Sequence, residues 1–159
     1  MNLGQSLFAI GALILLSLNI MSVNTRILRT DEVALNSKIG VLATSIGTSI
    51  IEDASKLPFD EKTQHAALSD KNLLTPSPFV IENPGVYDDF DDYNGYTKTD
   101  TVFTIPFKAI CSVDYVNATN PDKAVANQTW HKKLTVKVTT PFSQDTIKLS
   151  TIYSYWFFR

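Results

Sequence analysis

Residues 2–25 contain no Asp, Glu, Lys or Arg. A helix of about 20 predominantly apolar residues is long enough to cross the hydrocarbon core of a bilayer. A helix on the surface of a soluble domain would present a polar face, whereas apolar residues lie all round the axis of this one. The stretch therefore predicts a transmembrane or filament-core helix over residues 1–25. Its large apolar residues are Leu3, Leu7, Phe8, Ile10, Leu13, Ile14, Leu15, Leu16, Leu18, Ile20, Met21 and Val23.

A cleaved secretory signal is the alternative reading of the same stretch. Such signals begin with basic residues, have a short apolar region and end at a small-residue cleavage site. Residues 1–4 read MNLG, without Lys or Arg, and no A-x-A motif follows the apolar run. We therefore expect the segment to be retained. Arg26 and Arg29 follow it, and the positive-inside rule taken literally would place the rest of the chain in the cytoplasm.

An amphipathic pattern continues over residues 26–58. Apolar residues recur at spacings of mostly three, four and seven, with polar residues between them, and Pro58 is a stop signal. We expect one continuous helix of roughly 80 Å at 1.5 Å per residue. Two helices broken near residues 24–30 are the alternative. The apolar stripe is formed by Val33, Leu35, Ile39, Leu42, Ile46, Ile50 and Leu57.

The rest of the chain predicts a connecting region over residues 59–100 and an antiparallel sheet over residues 101–159. Residues 103–115, 133–138 and 147–155 alternate apolar and polar side chains, which is typical of half-buried strands. Residues 117–127 predict a loop, and residues 141–145 predict a hairpin turn. The expected fold is α+β, with a long N-terminal helix, hydrophobic then amphipathic, packed on a small antiparallel sheet.

The connecting region contains an acidic cluster that is the best candidate for a metal site. Calcium binds several carboxylate and carbonyl oxygens on a tight loop. The EF-hand pattern fails, because counting back from Gly95 puts Phe90 at the first ligand position. The alternative is a solvated turn whose carboxylates cap local backbone amides. The residues of this acidic cluster are Asp88, Asp89, Asp91, Asp92 and Asn94.

The sequence otherwise favours a structural protein over an enzyme. His65 and His131 are the only histidines, and neither belongs to a recognisable nucleophile or metalloprotease motif. Cys111 is the only cysteine and lies among alternating apolar residues, so we expect a buried core thiol. The formal net charge of -2 does not favour a nucleic-acid partner.

This plan resembles the type IV pilins and the pseudopilins of type II secretion. Residues 43–60 (ATSIGTSIIEDASKLPFD) look like the end of the long helix in minor pilin-like proteins. Residues 90–96 (FDDYNGY) are similar to a string in minor pilins of the mannose-sensitive haemagglutinin type. Residues 146–150 also look similar. The chain departs from the family at Ala9, the fifth residue counted from Gln5, where pilins carry Glu; residues 1–4 also contain no basic leader.

The resemblance implies a subunit that waits in the inner membrane and then joins an extracellular filament at the cell surface. Its partners would be copies of itself or other pilin-like subunits, and the family topology places the β domain outside the inner membrane. Gln5 and Asn19 would be polar positions within the core helix, able to bond across helices. The alternatives are a single-pass tethered envelope domain, or a minor pilin or pseudopilin that recruits a partner without forming the main filament. The helix-packing residues in a filament would be Leu7, Phe8, Leu13, Leu16 and Ile20.

Overall fold

The computed structural model describes residues 2–80 and 85–158, with side chains through Trp156. The chain divides into two compact units, Met1–Ile39 and Gly40–Arg159. A single α-helix, α1, covers Leu3–Ser55 and supplies residues to both units. The expected continuous helix is confirmed, and the alternative of a break near residues 24–30 is wrong.

Within the first unit, the described residues form helix from Leu3 onward, and nearly all of their side chains are exposed. The hydroxyls of Thr25 and Thr30 donate to the carbonyls of Met21 and Arg26, both at 2.9 Å. These bonds satisfy the hydroxyls inside the helix itself, as Ser and Thr often do in apolar surroundings.

Within the second unit, the helix buries a face of small residues. Ala43, Gly47, Ile50 and Ala54 are buried at spacings of four, three and four, which places them on one side of the helix. A Cβ on Gly47 would lie inside the van der Waals contact distance of Leu149 Cδ1 and 3.5 Å from Val138 Cγ2. The helix therefore approaches the sheet closely at Gly47.

The predicted apolar stripe is only partly correct. Ile39 and Ile50 are buried, but Leu42, Ile46 and Leu57 are only half-buried. Val33 is 65% exposed. The other buried positions are Ala43, Gly47 and Ala54, and small side chains are needed near Gly47 because the helix approaches the sheet closely there.

The helix ends slightly before the predicted stop. After Ser55, the amides of Lys56 and Leu57 donate to the carbonyls of Asp53 and Ala54 in a tighter final turn. Pro58 follows and has no amide to continue the pattern. The connecting region then contains short 3-10 helices at Glu61–Thr63, Lys71–Leu73 and Asp91–Tyr93; residues 81–84 of that predicted region lie outside the described residues.

Within the described part of the chain, the sheet has five antiparallel strands. β1 pairs with β2, β2 with β4, and β4 with β5, while β3 also pairs with β2. Tyr115 of β2 is opposite Val125 of β3 and also opposite Lys132 of β4. Since a strand has two edges, β3 extends the β1 edge of the sheet. The α+β prediction is confirmed, with β1 at Thr97–Val102, β2 at Ile105–Asn117, β3 at Asn120–Val125, β4 at His131–Thr140 and β5 at Ser143–Ser154.

Two local predictions are wrong and one is confirmed. Phe103, expected in a strand, lies with Thr104 in the β1–β2 turn, where both residues have positive φ (49° and 70°), as a tight two-residue hairpin requires. The predicted loop at residues 117–127 contains β3, whose mostly exposed residues lack the apolar alternation of a half-buried strand. The predicted hairpin turn is present at Pro141 and Phe142, between β4 and β5.

One face of the sheet forms the core. Cys111 lies opposite Val136, and Val136 lies opposite Leu149, so these three share a face. Gly47 of the helix contacts the same face near Val138 and Leu149. The expectation that Cys111 is a buried core thiol is confirmed.

Candidate functional site

The apolar surface of the first unit is the most distinctive feature of the molecule. All five predicted packing residues are exposed, from 57% for Leu16 to 86% for Phe8. The helix is long and apolar enough to cross a membrane, with a mean hydropathy of 2.1 over its best 18-residue window. None of that window is buried by the rest of the described chain.

The exposed apolar side chains surround the helix. Four consecutive residues, 13–16, are all more than half exposed, and four consecutive residues cover a full turn. Burying one such side chain is worth roughly 1.5–3 kcal/mol, so the twelve large apolar residues of the stretch together favour burial by on the order of 20 kcal/mol. A lipid or protein environment for this surface is therefore strongly favoured over water.

Shallow grooves interrupt this surface among the described residues. One, of about 390 Å³, is lined by residues around Gly11, including Leu7, Phe8 and Leu15. A Cβ on Gly11 would meet no atom within 4 Å, so the missing side chain is what leaves the depression open. The second groove, of about 310 Å³, includes Asn19 among its lining residues. Gln5 and Asn19 are both exposed, as bonding across helices would require.

The acidic cluster lies in a different place, in the second unit, and most of it is buried. Asp89, Asp91 and Asp92 are at most 5% exposed, while Asp88 is exposed and Asn94 is half-buried. Asp92 Oδ2 accepts a hydrogen bond from the amide of Asp88 at 2.9 Å. Asp89 Oδ1 accepts from the amides of Asp91 and Asp92 at 3.0 and 3.1 Å.

Asp89 and Asp92 therefore hold local backbone amides, as the alternative to a metal site anticipated, but these two side chains are buried rather than solvated. Asp89 also accepts a hydrogen bond through Oδ2 from the amide of Glu61, 28 residues away. Among residues 2–80 and 85–158, no three His, Cys, Asp or Glu side chains are arranged to hold a metal ion. In the described residues, the carboxylate oxygens of Asp89 and Asp92 accept hydrogen bonds from backbone amides.

A lysine from β4 lies at the centre of the buried acids. The Lys132 side chain is fully buried, and its Nζ donates to Asp60 Oδ2 at 2.9 Å and to Asp91 Oδ1. It also donates to the carbonyl oxygen of Phe59 at 2.7 Å. An ammonium group has three donors, so these three contacts satisfy it. We call Lys132 with Asp60, Asp89 and Asp91 the lysine cluster.

Aromatic rings surround the same ammonium. Nζ of Lys132 lies 4.5 Å from the ring centre of Phe59, 5.1 Å from that of Phe79 and 5.5 Å from that of Tyr115. Ring faces at these distances attract a cation, which offsets part of the cost of removing it from water. Tyr115 donates its hydroxyl to the carbonyl of Thr75 at 2.7 Å and so fixes its own ring.

Burial changes the acidity of these groups. Burial and the negative charge of Asp91 raise the pKa of Asp89 to about 8, against the lowering effect of Lys132. Burial likewise raises the pKa of Asp91, although Lys132 opposes it. With three carboxyls around one ammonium, the Asp89 and Asp91 pair retains a proton near neutral pH.

Sequence reasoning missed Lys132 and Asp60, although a signal was present. Lys132 has the same parity as Leu134 and Val136, which face the core. A charged residue on the inward face of a strand requires a buried partner. The partners Asp60 and Asp91 are 72 and 41 residues away in the sequence, so spacing did not reveal them.

The remaining candidate groups have ordinary surroundings. His65 is exposed, and a ring nitrogen of His131, Nδ1, lies 2.7 Å from the hydroxyl of Ser154. Burial raises the pKa of the Cys111 thiol to about 11, which keeps it protonated and unreactive at neutral pH.

Comparison with other proteins identifies no relative. No protein family, curated protein or solved structure matches this chain.

Proposed function

We propose that this chain is a pilin-like structural subunit that assembles through its N-terminal helix into an extracellular helical filament. The observation that carries the proposal is the exposed, all-round apolar surface of the first unit. Exposure of so large an apolar surface to water is unfavourable, so this surface needs a lipid or protein partner. In the proposed function it lies first in the inner membrane and then among sister helices.

The grooves support helix–helix contact in particular. Small residues allow helices to approach closely in an apolar environment, where packing rather than water exclusion drives association. The groove at Gly11 lies between Phe8 and Leu15 and can receive an apolar side chain from a neighbouring helix. The second unit would then lie outside the helical core, with its own sheet and lysine cluster complete within the subunit.

The resemblance in residues 43–60 and 90–96 supports the same proposal. Each of these two segments supplies a carboxylate to the lysine cluster. Asp60, at the end of the first string, and Asp91, in the second, both contact Lys132. The strings therefore meet at one buried cluster that closes the second unit.

Electron microscopy of cells that naturally produce the full chain tests the proposal. We expect filaments in the sheared extracellular fraction that contain this chain, as identified by mass spectrometry. Gly11→Leu fills the groove while making the helix more apolar, so it should reach the membrane normally but yield few or no filaments. Ile10→Leu, which keeps the side-chain volume, is the control and should behave as wild type.

Two results would contradict the filament proposal or the role of the groove. If the chain is found as a monomer in membrane fractions and no filament contains it, the single-pass tethered envelope domain replaces the filament subunit. If Gly11→Leu forms filaments as wild type does, the groove is not a packing site.

A further inference from the structure

The lysine cluster holds more acid than a structural ion pair needs. One carboxylate neutralises one ammonium, yet Asp60 and Asp91 both contact Lys132 Nζ. Asp89 adds a third carboxyl, on which the negative charge of Asp91 acts. Such an excess of buried acid is costly unless protons are shared within the cluster. The same groups are those that a condensation between an amine and a carboxyl would use.

The cluster excludes water. The Lys132 side chain is 0% exposed, and the rings of Phe59, Phe79 and Tyr115 surround its Nζ. In water, an amine and a carboxylic acid react poorly because both are charged and solvated. A dry site favours the neutral forms, and fixed contact between the two groups replaces a bimolecular encounter.

The two carboxylates that contact the lysine are held differently. Asp60 Oδ1 accepts from the Lys62 amide and the Thr75 hydroxyl at 3.1 and 3.2 Å. Asp60 Oδ2 accepts from the Thr75 amide at 3.0 Å. Three protein donors thus hold the Asp60 carboxylate in place beside Nζ, from which it can take a proton.

Asp91 is suited to the other role. Its contact with Lys132 is through Oδ1, and burial raises its pKa. The amide of Asp91 donates to Asp89 Oδ1 at 3.0 Å, which holds the two carboxyls side by side so that they can share a proton. A carboxyl that shares a proton with a neighbour is a better electrophile than a free carboxylate, because its leaving oxygen can depart as water.

We propose that Lys132 and Asp91 form an intramolecular isopeptide bond in the folded protein. Nζ of Lys132, after giving one proton to the acids, attacks Cγ of Asp91 and forms the C–N bond. The C–O bond to one Asp91 oxygen breaks, and that oxygen leaves as water with two protons. One of them is the first proton given up by the ammonium, and Asp89 supplies the other. The second proton of the ammonium passes to Asp60 as the amide forms. No oxidant or other co-reactant is required.

The bond would fasten β4 to the short helix at Asp91–Tyr93. These two elements are 41 residues apart in the sequence, and the segment between them contains β1, β2 and β3. A covalent link there holds the loop and the sheet together even when the ion pair would dissociate, as under denaturant. The inference concerns the second unit alone and does not depend on filament assembly.

Peptide mapping of the full chain, purified in detergent, tests the bond. After complete denaturation and protease digestion, we expect a branched species that joins the peptides containing Asp91 and Lys132. Its mass should be lower than the sum of the two by one water, and tandem mass spectrometry should place the link at these two side chains. The intact protein should show the same loss relative to Lys132→Met after allowance for the substitution.

Substitutions at Lys133 and Asp60 test which side chains are needed for the bond to form. Lys133→Met, at the neighbouring lysine, should retain the bond. Asp60→Asn should slow its formation, which can be followed after refolding from denaturant. Wild-type peptides of unaltered mass after prolonged incubation of the folded protein would overturn the proposal. A link from Lys132 to Asp60, or water loss confined to one peptide, would overturn it as well.

Discussion

Replacement of Lys132 by Met is the most informative single perturbation of this protein. The methionine has a similar length and no charge, so it fills the space while removing the ammonium. The change leaves Asp60, Asp89 and Asp91 buried without their cation. It also leaves the carbonyl oxygen of Phe59 without its donor at 2.7 Å.

The magnitude follows from the burial. Breaking a buried ion pair by removing one partner costs about 3–5 kcal/mol, because the remaining charge stays uncompensated. Total stabilities of domains are only about 5–15 kcal/mol, so the variant should lose a large fraction of its stability. For a unit of this size, the loss corresponds to a fall in melting temperature on the order of 10–20 °C. The same direction is expected whether the Lys132–Asp91 contact is ionic or covalent.

Thermal unfolding of the full chain in detergent, followed by tryptophan fluorescence, measures the effect. Trp130 lies just before β4 and stacks on Tyr155 with ring centres 5.0 Å apart, so its emission reports on this part of the fold. Lys133→Met is the matched control. Lys133 pairs with Asp122, whose side chain is 91% exposed, and surface pairs contribute only about 0–1 kcal/mol.

A second substitution tests whether uncompensated negative charge causes the loss of stability. Asp91→Asn in the Lys132→Met background removes one uncompensated charge and should restore part of the lost stability. Equal stabilities of Lys132→Met and wild type would refute the cluster as the stabilising centre of the second unit. A loss of the same size in Lys133→Met would refute its dependence on burial.

Three further predictions follow from individual contacts. Because the pKa of Asp89 is raised to about 8, the folded state binds more protons than the unfolded state. The free energy of unfolding should therefore fall as pH rises from about 4 to 8, by at most about 1.4 kcal/mol per pH unit for one proton. Asp89→Asn should flatten this dependence in denaturation series across that range, and a rise in wild-type stability over it would contradict the assignment. Gly40→Ala should stabilise the protein by up to about 1 kcal/mol through helix propensity, since its Cβ meets open space. Gly47→Ala should lose that gain because Leu149 must move to make room for the new Cβ. Equal melting temperatures for the two variants would contradict the close approach of helix and sheet. Tyr115→Phe should cost about 0.5–1.5 kcal/mol, as it removes the hydrogen bond to Thr75, and an unchanged melting temperature would mean that this bond contributes nothing.

The larger elements were predictable because their signals are local. Residues 2–25 lack charge, and Pro58 stops the helix within a few residues of its true end at Ser55. The alternation along β2, β4 and β5 reports burial on one face. β3 was missed because its residues are mostly exposed, and an exposed strand is specified by pairing with its neighbour rather than by its own pattern.

The candidate functional residues likewise fall into those that local sequence predicts and those that depend on tertiary contacts. The exposed helix could be assigned from residues such as Leu7 and Leu16 alone, since an uncharged run has the same character in any fold. The acidic cluster could be found in the sequence but not understood from it. Whether Asp91 is solvated, binds a cation or faces a lysine depends on which distant segment lies against it.

The sequence by itself thus determined that the chain begins with an apolar helix and continues into an α+β unit, because hydropathy and periodicity act over neighbouring residues. Only the tertiary structure decided that Asp60, Asp91 and Lys132 meet in a water-free cluster. The physical reason is the range of the interaction. A buried charge must be compensated by whatever the fold brings within a few ångströms, and those partners lie 41 and 72 residues away along the chain.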